Sequence, residues 1–536
     1  MNKQTCISLS RAARVAPAGM AALLLLLLLS PPILAASGHQ VRPAAESLRH
    51  LYAGQAQPRL WTDQGQTQAA LALLRTAPAH GLEPAHYQAD ALGLAQQKIA
   101  GGTSDDVEAF DKALSSAVLA FLGDVHFGRV KPDFRLPPTD PTVQPFDTAE
   151  HLRQALAQQR LPQAADSAAP TIALYRRVQA TLLHYRALAA MAPGWSAPAG
   201  LPADGKLRAG EEYPGLAVIA ARLALLGDLP AAQVDAEQEK TQPTEALTQA
   251  LKRFQARHSL PETGNPGRDT IAALGVPLTQ RVRQLELTLE RLRWMPVLRP
   301  GRVIAVNVPA YRLWAFDSTD SAVEPLEMRV IVGKAARTQT PLFIGQMSYL
   351  EFNPYWNVPH SIAAGEIAVK LGRNPSYLAQ NQMELVSKAG QVQGATAAVA
   401  AAGLRSGALR VRQRPGTHNV LGAVKFAMPN PMNIYLHSTS AKELFGNARR
   451  DLSHGCIRVE RPEELARFVL ADQPQWSAQN IAAAMEPGPM RTVRLGQAIP
   501  VVLFYATAAT DRAGRALFAN DIYRRDDKLA QALKVP

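Results

Sequence analysis

The spacing of apolar residues changes once along this chain, and that change limits what the chain can fold into. Up to about residue 296 apolar residues recur at three- and four-residue steps, the period of a helix with one buried face. Val107, Phe110, Leu114, Val118 and Phe121 form one such stripe, and Val282, Leu285, Leu289 and Leu292 form another that ends at Trp294-Met295-Pro296. From Ile304, Val306 and Val308 onward the period is two, that of a strand with one face buried. Further strands are expected at 311–316, 328–333, 347–352, 409–413, 423–427 and 433–437, with one or two more over 492–506. The pattern specifies a multidomain α+β protein with a helical first half and a β-rich second half. A chain of 536 residues is too long for a single core.

Punctuation refines the division. Residues 44–204 read as a helical scaffold, broken by turn signals such as His80-Gly81-Leu82-Glu83-Pro84 and by Pro/Gly-rich stretches at 136–142 and 192–204. His126, near the end of one helix, reads as structural. Residues 207–277 form a smaller helical unit with stripes at Leu216, Ile219, Leu223, Leu226 and at Leu247, Ala250, Leu251, Phe254, and Thr270 is expected to cap a short helix through Leu274. A connecting helix spans 279–296, a β-rich domain 300–506 and a tail 507–536. Residues 362–408, Ala/Gly-rich around 389–408, lack strand alternation and read as an inserted cap over a site.

Residues 1–36 carry Lys3, Arg11 and Arg14, an apolar run from Ala21 to Leu29, Pro31-Pro32 and Leu34-Ala35-Ala36. This is the layout of an export signal, with an apolar run too short to make a stable membrane span. The expected location is the periplasm, with an uncleaved anchor as the alternative. Net charge is +13, falling to +10 without those three cations. It is scattered, with no run of five or more Lys/Arg, which argues against a nucleic-acid partner and suits an anionic cell-wall polymer.

Only two cysteines occur, Cys6 inside the signal and Cys456. An exported chain with one thiol cannot close an internal disulfide, and a lone thiol in an oxidising compartment calls for a chemical reason. Cys456 stands in Ser453-His454-Gly455-Cys456, with His437 upstream in Ile434-Tyr435-Leu436-His437-Ser438. On a strand ending at His437, Ile434 and Leu436 face the core, so Tyr435 and His437 face outward at an exposed strand end. A nucleophilic thiol needs a base and backbone donors for the oxyanion. His437 is the favoured base, oriented by the Ser438 carbonyl, and His454 is the alternative. Gly455 removes a side chain where a substrate carbonyl must approach.

His437, fifteen residues, then Ser453-His454-Gly455-Cys456 resembles the signature of the L,D-transpeptidases, which cross-link peptidoglycan. So do Phe352-Asn353-Pro354 with Trp356, Val358-Pro359 and Ser361-Ile362, and Arg414-Pro415-Gly416 followed by Asn419, Leu421-Gly422, Lys425-Phe426, Pro429-Asn430 and Leu436-His437. Ala250 to Leu274 resembles the small three-helix peptidoglycan-binding module, giving the long Gram-negative type overall. The resemblance implies Cys456 as nucleophile, His437 as base, Ser438 as its orienting carbonyl, and His454 and Gly455 around the substrate carbonyl. Tyr435, Ser453, Arg458 and Trp356 are then substrate-side residues, with turn architecture open for Ser453 and Arg458. Ser438 stands where many relatives have Asp, and Arg458 where some have Asn.

The implied reaction forms a thioester from a tetrapeptide stem, releases D-Ala and makes a 3→3 cross-link, with no cofactor or metal and with carbapenems as acylating inhibitors. Rivals are an L,D-carboxypeptidase or endopeptidase using the same thiol, attachment to a lipoprotein lysine, a His/Cys metal site, and a non-catalytic wall-binding protein. No CxxC, HxH or HExxH spacing favours the metal. No Ser-x-x-Lys or Lys-Thr-Gly favours a serine penicillin-binding enzyme.

Overall fold

The computed structural model describes residues 44–54, 59–99, 102–132, 145–195, 198, 215–235, 242–296, 301–318 and 323–534, within one compact unit spanning Gln40–Pro536. The export-signal reading lies outside the described residues.

The scaffold is built on α1 (Ala44–Tyr52), α2 (Gln64–Arg75), α3 (Ala89–Lys98), α4 (Ser104–Phe127), α5 (Thr148–Ala157), α6 (Ala164–Ala168) and α7 (Ala173–Met191). Helix α4 begins in a reciprocal capping box between Thr103 and Asp106 and stops at Gly128, and its stripe is buried from Phe110 to Phe121 while Val107 is half-buried. His126 is structural: its Nδ1 meets the Ala168 carbonyl at 2.7 Å and its ring stacks on Phe146. The smaller unit has α8 (Leu216–Leu225), α9 (Glu245–Arg257) and α10 (Arg268–Gly275) around a separate core of Leu216, Ile219, Leu223, Leu247, Leu251 and Phe254. The expected Thr270 cap is corrected here. Gly267 is the N-cap of α10, while Thr270 is buried in its first turn and accepts from Gln255 Nε2 at 3.0 Å.

Helix α11 (Leu278–Arg293) joins the halves and carries buried charge that ties them together. Glu290 is 1% exposed; it accepts from the Val130 backbone N–H at 2.9 Å and from Arg293 Nη1 at 2.8 Å. Arg291 Nη1 bonds Asp526 Oδ1 at 2.5 Å.

The β-rich domain is built on β1 (Val303–Asn307), β2 (Arg312–Phe316), β3 (Leu326–Gly333), β4 (Phe343–Phe352), β5 (Trp356–Asn357), β6 (Met383–Val386), β7 (Val392–Gln393), β8 (Arg410–Gln413), β9 (Val424–Ala427), β10 (Leu436–His437), β11 (Asp451–Ser453), β12 (Ile457–Val459) and β13 (Arg491–Phe504). Nine of these make one sheet in the order β11-β3-β12-β10-β9-β4-β13-β1-β2, and β2 pairs back onto β3, closing the ring. The enclosed core includes Ile304, Val306, Leu313, Val330, Leu350, Phe426, Leu436, Ile457 and Leu503.

Three expectations need correction. The strand expected over 433–437 is only Leu436–His437: Asn433 takes a left-handed φ of 53°, and Asn430 Oδ1 accepts from the backbone N–H groups of Met432 and Ile434, both at 3.1 Å, so a turn occupies the first half. The insert does contain strands, since β6 and β7 complete a second sheet in the order β5-β8-β6-β7 beneath α12 (Ala368–Arg373) and α13 (Ala397–Ser406). Residues 507–534 are also structured. Strands β14 (Ala508–Thr510) and β15 (Ala516–Phe518) form a hairpin followed by α14 (Arg525–Ala532), and Ala508, Ala516 and Phe518 join the scaffold's core.

Candidate active site

Strands β10 and β12 run parallel with Leu436 opposite Ile457 and His437 opposite Arg458. Leu436 and Ile457 are fully buried in the core. Alternation therefore sends Tyr435, His437, Cys456 and Arg458 to the other face, with the imidazole one diagonal step from the thiol. On the far side β9 places Lys425 opposite His437, and β4 places Glu351 opposite Lys425. A row of polar residues thus crosses four strands beside the cysteine.

His437 is not at an open strand end, contrary to the sequence expectation: it is 5% exposed. Its Nδ1 lies 2.6 Å from the Ser438 carbonyl oxygen. A carbonyl can only accept, so Nδ1 carries the proton and Nε2 keeps its lone pair. Burial, with the Arg458 charge next, pulls its pKa down from 6.5 to about 3, so the ring is neutral at physiological pH. Ser438 is itself pinned. Its Oγ donates to the Leu421 carbonyl at 2.9 Å and accepts from the Val424 N–H at 3.1 Å, while its N–H donates to the Val424 carbonyl at 2.9 Å. That close approach needs Gly422, at a φ of 62°, to carry no side chain.

Cys456 is part-exposed and donates from Sγ to the Asn433 carbonyl at 3.5 Å. The atoms crowding the sulfur push the thiol above its usual value of 9.0, although the Tyr435 backbone and hydroxyl and the Lys425 and Arg458 charges act the other way. The resting pair is accordingly a neutral thiol and a neutral imidazole. Tyr435 lies between the thiol and Trp356, which approaches its hydroxyl, and its ring centroid is 5.7 Å from that of His437. Trp356 also packs on the cap's core.

The loop before the cysteine is held from inside. Ser453 is 2% exposed; its Oγ donates to the Cys456 carbonyl at 2.6 Å and accepts from the Gly455 N–H at 3.1 Å. Its hydroxyl is thus taken up by the turn, and the Gly455 N–H is withdrawn from any oxyanion site. Gly455 has a φ of 117°, and the nearest atom to an added Cβ would be 3.5 Å away, so conformation rather than crowding demands glycine there. Thr340 Oγ1 donates to the Gly455 carbonyl at 2.8 Å. Arg458 has a buried Nε with no hydrogen-bond partner among the described residues. His454 points away from the sheet, its Nε2 2.6 Å from Glu366 Oε1 in the π-helical turn Ala363–Ile367 of the cap.

Lys425, Gly422 and Thr340 had no assigned role in the sequence. The first two stand in the quoted motifs, whereas nothing local marks Thr340 or Glu366. Among the described residues no group of three His, Cys, Asp or Glu side chains could hold a metal, and no helix is long and apolar enough to cross a membrane.

Residues 301–492 match the family model of the YkuD L,D-transpeptidase catalytic domain. Over that stretch the chain has an L,D-transpeptidase-type catalytic domain. Two further matches fit the same assignment: a scaffold domain over 46–182 and a "putative peptidoglycan binding domain" over 217–274. A "Putative L,D-transpeptidase" of Haemophilus influenzae is 30% identical over 247 residues, 46% of this chain and 49% of that protein. The chain thus spans about half the length of that curated relative. A crystal structure of the L,D-transpeptidase (residues 123–326) from Xylanimonas cellulosilytica aligns at 13% identity over 57% of this chain and 100% of that one, with a TM-score of 0.17, too low to bear on the fold.

Proposed function

We propose that this chain acts as an L,D-transpeptidase on peptidoglycan in the cell envelope, forming 3→3 cross-links through a thioester on Cys456. The supporting observation is a buried, neutral His437, its Nδ1–H fixed on the Ser438 carbonyl, on the same face as the thiol of the adjacent strand. The Sγ proton passes to Nε2 as sulfur attacks the carbonyl of the third, L-centred residue (diaminopimelate) of a donor tetrapeptide stem. The C–N bond to the terminal D-Ala then breaks, and the imidazolium returns the proton to the departing amine. An amine of a second stem attacks the thioester, the C–S bond breaks and the thiolate is reprotonated.

With Lys425 paired to Glu351, Arg458 leaves this side of the site with a net positive charge, which suits the terminal carboxylate of the donor and the thiolate leaving in the second step. Tyr435 and Trp356 form the apolar wall of the donor groove. The helical unit around α8–α10 holds the polymer and raises the local concentration of stems.

Mass spectrometry of purified tetrapeptide stems with the wild type and Cys456→Ala tests the reading. The wild type is expected to release D-Ala and form dimers, and the variant to do neither. D-Ala release by Cys456→Ala would overturn the assignment of the nucleophile.

A further inference from the structure

The two halves of a transpeptidation need different proton handling, and the site contains two separately oriented histidines. His437 is sealed below the thiol and held by a main-chain carbonyl. His454, two residues before the sulfur, is on the open side, with its side chain 35% exposed and its Nε2 on the Glu366 carboxylate at 2.6 Å. Glu366 comes from the cap, 88 residues away in sequence, and its side chain is 44% exposed. The imidazole donates from Nε2 to that carboxylate, which leaves the Nδ1 lone pair with no hydrogen-bond partner among the described residues.

The charges around the thiol differ in sign from side to side. Lys425 and Arg458 line the sheet side. Glu351, the carboxylate in that row, is taken up by Lys425 at 2.9 Å. On the cap side Glu366 is in contact with an imidazole rather than with Lys or Arg. An acceptor amine arrives mostly as an ammonium ion, since an alkyl amine of the lysine type has a pKa of about 10.4. It must be drawn to a negative group and lose a proton before it can attack.

We infer that Glu366 and His454 form the acceptor subsite, the carboxylate binding the ammonium of the incoming stem and the imidazole Nδ1 taking its first proton. This rests on the transpeptidase reading above. The neutral amine then attacks the thioester carbonyl, the new C–N bond forms as the C–S bond breaks, and the second proton leaves the nitrogen through His437 to the thiolate of Cys456. Specificity for an amine over water thus resides in Glu366 of the cap, and the donor half-reaction does not use that carboxylate.

The experiment separates the halves. Intact-protein mass spectrometry follows thioester formation on the full chain with a tetrapeptide donor. Chromatography then measures the partition of that thioester between dimer and hydrolysed tripeptide as a tetrapeptide acceptor is titrated. Glu366→Gln is expected to form the thioester within about two-fold of the wild-type rate, while the acceptor KM rises and the dimer-to-tripeptide ratio falls at least ten-fold. Glu366→Asp is expected to recover part of that ratio. A wild-type ratio in Glu366→Gln overturns the proposal. So does an equal slowing of thioester formation and dimer formation, which would make Glu366 only a clasp for the cap. If the wild type forms no thioester at all, the underlying function fails instead, and that result is seen before any acceptor is added.

Discussion

Gly422→Ala is the sharpest test of how the base is held, because it alters no group that reacts. A methyl group there would lie 2.8 Å from the Thr439 backbone nitrogen, 3.0 Å from the Ser438 carbonyl carbon and closer still to Ser438 Oγ. Ordinary carbon contacts need about 3.5 Å, so the Ser438–Thr439 backbone must yield by about half an ångström or more. Ser438 cannot turn aside freely, because its Oγ and N–H are bonded to Leu421 and Val424. The carbonyl that fixes the His437 tautomer therefore moves. Stability should fall by about 2–5 kcal/mol, combining about 1–2 for a left-handed alanine with about 1–3 for overpacking. A misplacement of this order costs up to about 100-fold in rate. D-Ala release from tetrapeptide, measured beside iodoacetamide labelling of Cys456, reads both effects: kcat is expected to fall by about that factor while the thiol stays reactive to the small reagent. Wild-type kcat with an unshifted denaturation midpoint would refute the positioning argument.

The resting thiol–imidazole pair sets the pH dependence of labelling. With His437 at about 3 and Cys456 above 9.0, alkylation is expected to climb through the alkaline range, and a plateau between pH 5 and 8 would reveal an ion pair instead. Acid should loosen the whole fold. His80 is lowered to about 4 by burial and Arg293, His437 is at about 3, and burial holds His258 well below 6.5. Each takes up its proton more readily when unfolded, so its contribution is complete above about pH 6.5 and is lost as pH falls from there toward 4 and 3, at most about 3 kcal/mol for His80 alone. Asp124, raised to about 6 by burial, offsets part of this loss. Urea midpoints should therefore drop between pH 7.5 and 4.5, and an equal or higher midpoint at the lower pH would contradict these burial assignments.

Much of the core was legible because alternation survives in one residue pair. Leu436 and Ile457 each face hydrocarbon, and that alone puts His437 and Cys456 on the opposite face. The burial of His437 was not legible. It depends on the Leu421–Gly422 turn folding over it, and a strand's own pattern does not show what covers its second face. The insert's strands escaped notice because β7 is two exposed residues and β6 four, too short for a period of two to stand out. Thr270 looked like a cap because its hydroxyl stands near a helix start, but Gln255 had a prior claim on it. Glu366 could not be foreseen, since its partner is brought to it only by the cap's tertiary placement.

The chain enters and leaves the cap through β5 and β8, which pair antiparallel at its base, Trp356 against Gln413 and Asn357 against Arg412. Above that pair the cap keeps its own apolar interior of Val358, Ile367, Leu371, Leu385, Leu404 and Val411, separate from the hydrocarbon inside the closed sheet. A lobe joined by a two-stranded stem and packed on itself can be trimmed, enlarged or exchanged without unsettling the strands that carry the sulfur. With the acceptor subsite proposed at Glu366, changes in the accepted nucleophile would accumulate in the lobe while the chemistry beneath it stays the same.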